Sequence, residues 1–156
     1  MIKTAVVILN WNGKKFLEQF LPGVVENTLS DDPSVIVADN GSDDDSVSWV
    51  TINHPEVQVI GLGANYGYAG GYNRALSQLE AEYYILLNSD VEVEPGWAGK
   101  LITFMDLHPN AGACQPKIRS YSSRTSFEYA GAAGGYIDRL GYPFCRGRLF
   151  DTVEED

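Results

Sequence analysis

The sequence predicts an α/β domain: a mostly parallel central sheet with helices on both faces, giving way to hairpins and loops toward the C-terminus. Three observations predict it. Over the first two thirds of the chain, short apolar runs alternate with segments of helical periodicity, the pattern of repeated βαβ units. The apolar runs stop at polar or glycine-rich points, most abruptly where Tyr83-Tyr84-Ile85-Leu86-Leu87 meets Asn88-Ser89-Asp90. At 156 residues and 44% hydrophobic composition, the chain has the size and apolar content of one packed domain rather than of a disordered segment.

Residues 5–9 read as the first strand. Phe16, Leu17, Phe20, Leu21, Val24 and Val25 then recur at helical spacing. Pro22 is expected to bend or restart that helix, because it has no amide hydrogen and its ring crowds the preceding turn. Residues 34–38 give a second strand ending at Asp39. Asn40-Gly41 suits a tight turn, and Ser42 is expected to cap a helix reaching about residue 53, with Asp43, Asp44 and Asp45 well placed against its dipole. Residues 57–60 form a short third strand, 61–67 a loop, and 68–80 a helix despite Gly70 and Gly71. The fourth strand, ending at Asn88, is apolar enough to be covered on both faces. Pro95-Gly96 open a helix whose apolar side is Trp97, Leu101, Phe104, Met105 and Leu107, and Pro109 stops it. Residues 111–114 read as a further strand. From Ser120 onward Tyr, Ser, Gly and Arg surround short apolar runs, which favours hairpins. No repeat or linker argues for a second domain within 1–156.

A formal charge of -10 disfavours binding along a nucleic-acid backbone, which needs lysines and arginines to displace counterions. A bound cation or a helix N-terminus can still reverse the potential locally and admit an anion. Cys114 and Cys145 lack metal-ligand spacing, and neither His54 nor His108 has a partner at such spacing, so zinc, a disulfide framework and a Ser-His-Asp triad are not indicated. No apolar run reaches the length of a transmembrane segment, and the first residues lack a secretory pattern. The expectation is a cytoplasmic protein, working at the inner face of a membrane if it is anchored there.

Four loops follow strand ends: Asn10-Trp11-Asn12-Gly13, Asp39-Asn40-Gly41-Ser42, residues 61–71, and residues 88–92. A parallel sheet gathers them along one edge, where ligands of open α/β sheets bind. Their amides, strand-terminal carboxylates and flexible backbone suit a nucleotide with a divalent cation. Asp90 offers a hard oxygen for Mg2+ or Mn2+, and Glu92 could point the same way two residues on; the plainer alternative is a turn cap with solvated glutamates. Asp39 could accept the imide N–H of uracil or thymine, or simply close an Asx turn with Asn40-Gly41, and the two are compatible. The loop 61–67 imitates a dinucleotide fingerprint, but its third glycine falls one place late and it follows the third strand. Asn65 and Arg74, with Gly70, Gly71 and Asn73, still allow close approach and a cation at a helix start. Arg146 and Arg148 could contact a phosphate or an acceptor.

In combination, Val6-Val7-Ile8-Leu9-Asn10-Trp11-Asn12-Gly13, Val37-Ala38-Asp39-Asn40-Gly41-Ser42, the run Asn65 to Asn73 and Leu86-Leu87-Asn88-Ser89-Asp90 resemble the family 2 glycosyltransferases of GT-A fold, and in particular their rhamnosyltransferase-like branch. The resemblance implies that Asp39 reads the base, that the stretch Leu9, Asn10 and Asn12 packs on the nucleoside, and that Asn88-Ser89-Asp90 replaces an Asp-x-Asp element, with Asp90 on the metal and Asn88 serving a ribose hydroxyl. It implies a nucleotide diphosphate sugar donor and a glycan or lipid-linked glycan acceptor. Residues 1–118 would then be the donor-binding region and 119–156 the start of an incomplete acceptor side. The family's catalytic base lies in an acidic motif well beyond the metal loop, and Glu154, Glu155 and Asp156 are not assigned that role. The chain is therefore expected to be a C-terminally truncated, inverting glycosyltransferase that turns over poorly without the base. Two alternatives stand beside it: a non-catalytic nucleotide-sugar binding module, and a sugar nucleotidyltransferase, which would need a glycine-rich, basic loop after the first strand.

Overall fold

The computed structural model describes residues 2–28, 33–128, 135–145, 148–149 and 152–153. Its element order is β1 (Ile2–Asn10), α1 (Lys14–Thr28), β2 (Ser34–Asp39), α2 (Ser46–Asn53), β3 (Gln58–Gly61), α3 (Gly67–Leu76), β4 (Ala81–Leu87) and α4 (Trp97–Leu107). Four short strands follow: β5 (Gly135–Ile137), β6 (Pro143–Cys145), β7 (Arg148–Leu149) and β8 (Thr152–Val153). The chain divides into two compact units, Met1–Phe104 and Met105–Asp156.

The first unit holds a four-stranded, all-parallel sheet in the order β3-β2-β1-β4. The central strands β1 and β2 bury alternate residues on opposite faces, as the period of two requires. Val6, Ile8, Val35 and Val37 pack against Leu17, Leu21, Val24 and Val25 of α1 and Val50 of α2. Ala5, Val7, Ile36 and Ala38 pack against Tyr72 and Ala75 of α3. Each fully buried Val, Ile or Leu side chain contributes about 1.5–3 kcal/mol relative to exposure, so this two-sided core dominates the stability of the unit. The segment after β4 returns to the α1 face: Val93 joins the core there, and Val91 and Trp97 pack on it. Two hydrogen bonds pin it, from Asn27 Nδ2 to the Val93 carbonyl (3.2 Å) and from Trp97 Nε1 to Thr28 Oγ1 (3.0 Å).

The sheet, its parallel sense and the helices on both faces match the sequence reading, but several local expectations do not. Helix α1 runs unbroken through Pro22, which sits on an exposed position while Leu17, Leu21, Val24 and Val25 hold the helix to the sheet. Helix α2 begins at Ser46 rather than after Ser42, because the Ser42 hydroxyl is turned inward to Asn10 and Asn12. Helix α3 ends at Leu76, short of Glu80. Strand β4 is not covered on both faces: Tyr84 and Leu86 are exposed, since α3 packs over β1 and β2 and leaves that side of β4 open. In α4 the inward residues are Ala98 and Ile102, and Phe104 and Leu107 are exposed. Residues 111–114 form no strand: Gly112, Ala113 and Cys114 are exposed, too small an apolar surface to hold one. In the second unit the expected hairpins form, β5 with β6 and β7 with β8, both antiparallel, beside an isolated bridge between Arg119 and Phe127. Arg146 and residues 154–156 lie outside the described residues.

Candidate functional site

The parallel register brings the strand ends level. Asn10 of β1 stands beside Asp39 of β2, Asp39 beside Gly61 of β3, and Ile8 beside Leu87, the last residue of β4. The loops that follow therefore share one edge. The chain leaves β1 toward β2 and β3 on one side and returns for β4 on the other, so the switch point of the sheet lies between the carboxyl ends of β1 and β4.

Asn10, 1% exposed, ties this edge together. Its Nδ2 lies within hydrogen-bond distance of Asp39 Oδ1 (3.2 Å), Ser42 Oγ (3.1 Å) and Ser46 Oγ (2.9 Å). Asp39 Oδ2 accepts the Ser42 amide (3.1 Å), so the turn expected at Asp39-Asn40-Gly41 is formed. Each carboxylate oxygen of Asp39 thus accepts one internal bond and keeps a lone pair for a second donor. Asn10 Oδ1 is buried with no partner. It faces Gly13, where a Cβ would stand 2.5 Å from that oxygen and 3.9 Å from Ser89 Oγ. Only a residue without a side chain lets the chain turn this closely past the Asn10 carboxamide at the end of β1.

Asn12 adopts a left-handed backbone (φ 50°) and is held to the second loop, its amide donating to Ser42 Oγ (2.9 Å) and its Oδ1 accepting the Asp43 amide (2.9 Å). Asp44 serves two helix starts, accepting the Lys14 amide of α1 (3.1 Å) and the Ser46 amide of α2 (3.0 Å), with the Ser46 hydroxyl on the same oxygen. Burial pushes the Asp44 carboxyl up, but the Ser46 hydroxyl, the two amides and the Lys14 charge outweigh it and hold its pKa below the usual 3.8.

The glycine-rich loop is fastened to the end of β2 by Asn40, 2% exposed. Asn40 Nδ2 donates to Asn65 Oδ1 (3.1 Å) and the Gly67 carbonyl (3.2 Å), and its Oδ1 accepts the Tyr66 amide (3.0 Å). Asn65 Oδ1 also accepts the Gly67 amide (2.8 Å) at the start of α3. Gly71 admits α3 to the end of β1, since a Cβ there would meet Leu9 Cδ1 at 2.8 Å and Asn40 Nδ2 at 3.1 Å. Arg74 reaches back along α3 and lays its guanidinium over the Tyr66 ring, 3.7 Å from the centroid, beside this loop.

At the switch point, Tyr72 is 3% exposed and donates to the Leu87 carbonyl (3.1 Å). Burial, reinforced by Tyr68, raises its pKa, and a hydrogen bond from the Leu9 amide only partly offsets them, so the hydroxyl stays a donor. One turn earlier, Tyr68 meets Tyr72 edge-on (4.9 Å between centroids), and its hydroxyl donates to Asn88 Oδ1 (3.3 Å). Asn88 and Asp90 are exposed and Ser89 half-buried, in the turn that follows β4.

Leu9, Asn10, Asn12, Asp39, Asn65, Arg74, Asn88, Ser89 and Asp90 all lie on or beside this edge. The side chains of Ser89 and Asp90 in the last loop offer oxygens, and these fit a hard cation such as Mg2+ or Mn2+ better than zinc. Among the described residues no three His, Cys, Asp or Glu side chains form a cage. One carboxylate with phosphate oxygens and water is the arrangement magnesium-type ions commonly take, so the residues present fit such an ion. Sequence reasoning found Asn10 and Asn65 but missed Asn40, Asp44, Ser46 and the tyrosine pair as ties between the loops. The signal available for Asn40 was the second amide at Asn65 in the next strand-end loop.

The sequence profile of Glycosyl transferase family 2 matches residues 5–152. An N-acetylglucosaminyl-diphospho-decaprenol L-rhamnosyltransferase from Mycobacterium tuberculosis is 32% identical over 126 residues, 73% of this chain and 40% of that protein. A low-salt glycan biosynthesis hexosyltransferase from Haloferax volcanii is 27% identical over 96 residues, 57% of this chain and 28% of its own length. The chain thus spans at most about two fifths of these relatives. Among solved structures, Staphylococcus aureus TarS 1-349 in complex with UDP-GlcNAc superposes with a TM-score of 0.60 at 21% identity, over 76% of this chain and 38% of that one. The mannosyltransferase PcManGT from Pyrobaculum calidifontis, in complex with GDP-Man and Mn2+, gives 0.59 at 19% identity, over 74% and 33%. These likenesses establish the GT-A fold, and with the family profile spanning nearly all of its residues, the chain belongs to glycosyl transferase family 2.

Proposed function

We propose that the chain is the donor-binding part of an inverting glycosyltransferase that takes a nucleotide diphosphate sugar and passes the sugar to a lipid-linked or surface glycan at the cytoplasmic face of a membrane. One observation carries the proposal: the register that sets Asn10 beside Asp39 and aligns all four strand-end loops on one edge. Asp39, oriented by Asn10 and the Ser42 amide, accepts the imide N–H of the base. Leu9 packs on the nucleoside, and Asn12 holds the first and second loops together around it. Asn65 stands at the start of α3 and Arg74, from its last turn, reaches back over Tyr66 toward the diphosphate; Asn88 and Ser89 serve the ribose, and Asp90 holds Mg2+ or Mn2+. A cation bound there offsets the charge that builds on the leaving diphosphate. Residues 1–118 form the donor side and 119–156 the beginning of the acceptor side. The base that takes the acceptor proton is not assigned within this chain.

Calorimetric titration with UDP, dTDP and GDP, with and without Mn2+, tests the reading. One of the three is expected to bind, more tightly with Mn2+, and Asp90→Ala is expected to remove the Mn2+-dependent part. No binding by any of them sinks the proposal.

A further inference from the structure

We propose that Tyr68 is a positioning residue for this site: its hydroxyl, braced through Tyr72 against the ends of β1 and β4, sets the orientation of the Asn88 carboxamide. The inference rests on the nucleotide-sugar reading above. Tyr68 is 63% exposed, the reverse of what an aromatic kept for packing shows, yet its ring is fixed by edge contact with Tyr72. The two tyrosines are four residues apart on α3 and so share one face of the helix. Tyr72 is anchored in turn by its bond to the Leu87 carbonyl, one residue before Asn88. The path from α3 to the loop after β4 therefore runs through one buried ring, one exposed ring and one hydrogen bond of 3.3 Å to Asn88 Oδ1. With Oδ1 accepting from Tyr68, the exposed Asn88 has its Nδ2 hydrogens left to donate. It enters the site as a donor to a ribose or phosphate oxygen, which leaves cation binding to Asp90.

Tyr68→Phe removes the hydroxyl and keeps the ring, so it separates orientation from packing. In 1H–15N spectra of the full chain, the Asn88 side-chain amide pair is expected to move toward free-amide positions in this variant while the backbone amides of α3 and β4 stay in place. Affinity for the nucleoside diphosphate is expected to fall about three- to tenfold, the worth of one hydrogen bond. On an Asn88→Ala background the same substitution is expected to cost nothing further. An unmoved Asn88 amide pair, or losses that simply add, overturns the role of Tyr68. A wild type that binds none of UDP, dTDP or GDP overturns the donor-site reading and the positioning role with it; a binding wild type with an unchanged Tyr68→Phe overturns the positioning role alone.

Discussion

Replacing Asn40 by alanine removes the tie between the second strand-end loop and the glycine-rich loop. Three hydrogen bonds disappear: those from Nδ2 to Asn65 Oδ1 and the Gly67 carbonyl, and that from the Tyr66 amide to Oδ1. At about 0.5–1.5 kcal/mol net for each neutral bond, the gross loss is roughly 1.5–4.5 kcal/mol. Tyr66 and Gly67 lie in an exposed stretch, so water replaces part of what Asn40 supplied, and about 2 kcal/mol is the expected cost. With a urea slope of about 2 kcal/mol/M, the unfolding midpoint should fall by about 1 M. Asn40→Asp should not rescue stability, because a carboxylate would face the Gly67 carbonyl and Asn65 Oδ1 with no hydrogens to donate. Hydrogen exchange should show the amides of residues 62–67 opening faster while those of β1 and β2 keep their protection. A midpoint shift below about 0.2 M, or an Asn40→Asp variant as stable as the wild type, would refute the reasoning.

Gly41→Ala should be far worse than Gly63→Ala, although both glycines have positive φ (78° and 82°). A Cβ at Gly41 would lie 2.6 Å from Ala64 Cα, backbone that cannot step aside, whereas nothing lies within 4 Å at Gly63. Thermal denaturation should give about 1 kcal/mol for Gly63→Ala and at least 2 kcal/mol more for Gly41→Ala. Asp44→Asn should lose stability at pH 7. The folded-state pKa of Asp44 is depressed, so its contribution is present above the usual 3.8 and lost as the pH falls through the folded value. Unfolding curves of wild type and variant should therefore begin to approach each other below pH 3.8 and converge only once the pH has fallen through the folded-state pKa, and a gap that is the same at pH 7 and at the acid end of the folded range would count against the capping role. Asp39→Ala should lower nucleoside diphosphate affinity at least tenfold, the worth of a hydrogen bond to a charged acceptor, as read by calorimetry.

The fold was legible because β1 and β2 are buried on both faces and their runs, residues 5–9 and 34–38, carry almost nothing polar. The ends of these strands were legible for the same reason: Asn10 and Asp39 interrupt the runs where the sheet stops. Pro22 misled because a local penalty was outweighed by the apolar face of α1, a tertiary contribution that a lone proline does not announce. Ser42 reads as a helix cap by residue type, but its hydroxyl is taken by Asn10 and the Asn12 amide, contacts 32 and 30 residues away in sequence, and α2 starts at Ser46 after Asp45. Strand β4 reads as fully apolar, yet the placement of α3 over β1 and β2 determines which part of the sheet is covered, and that is not written in residues 83–87. Asn40 looked like a turn residue. Its partners lie 25–27 residues away in a loop whose path is fixed by positive-φ glycines, so the tie appears only once both loops are in place.

The central claim is that the four strand-end loops form one nucleotide diphosphate site with its cation at Asp90. Amide spectra recorded through a titration with UDP, dTDP or GDP, followed by Mn2+, test it most directly. The account predicts that Leu9–Asn12, Asp39–Ser42, Asn65–Gly71 and Asn88–Asp90 shift together, that Mn2+ then broadens Asn88 and Ser89 before the others, and that Asp90→Ala abolishes this broadening. Shifts confined to other surfaces, or Mn2+ broadening that survives Asp90→Ala, would contradict it.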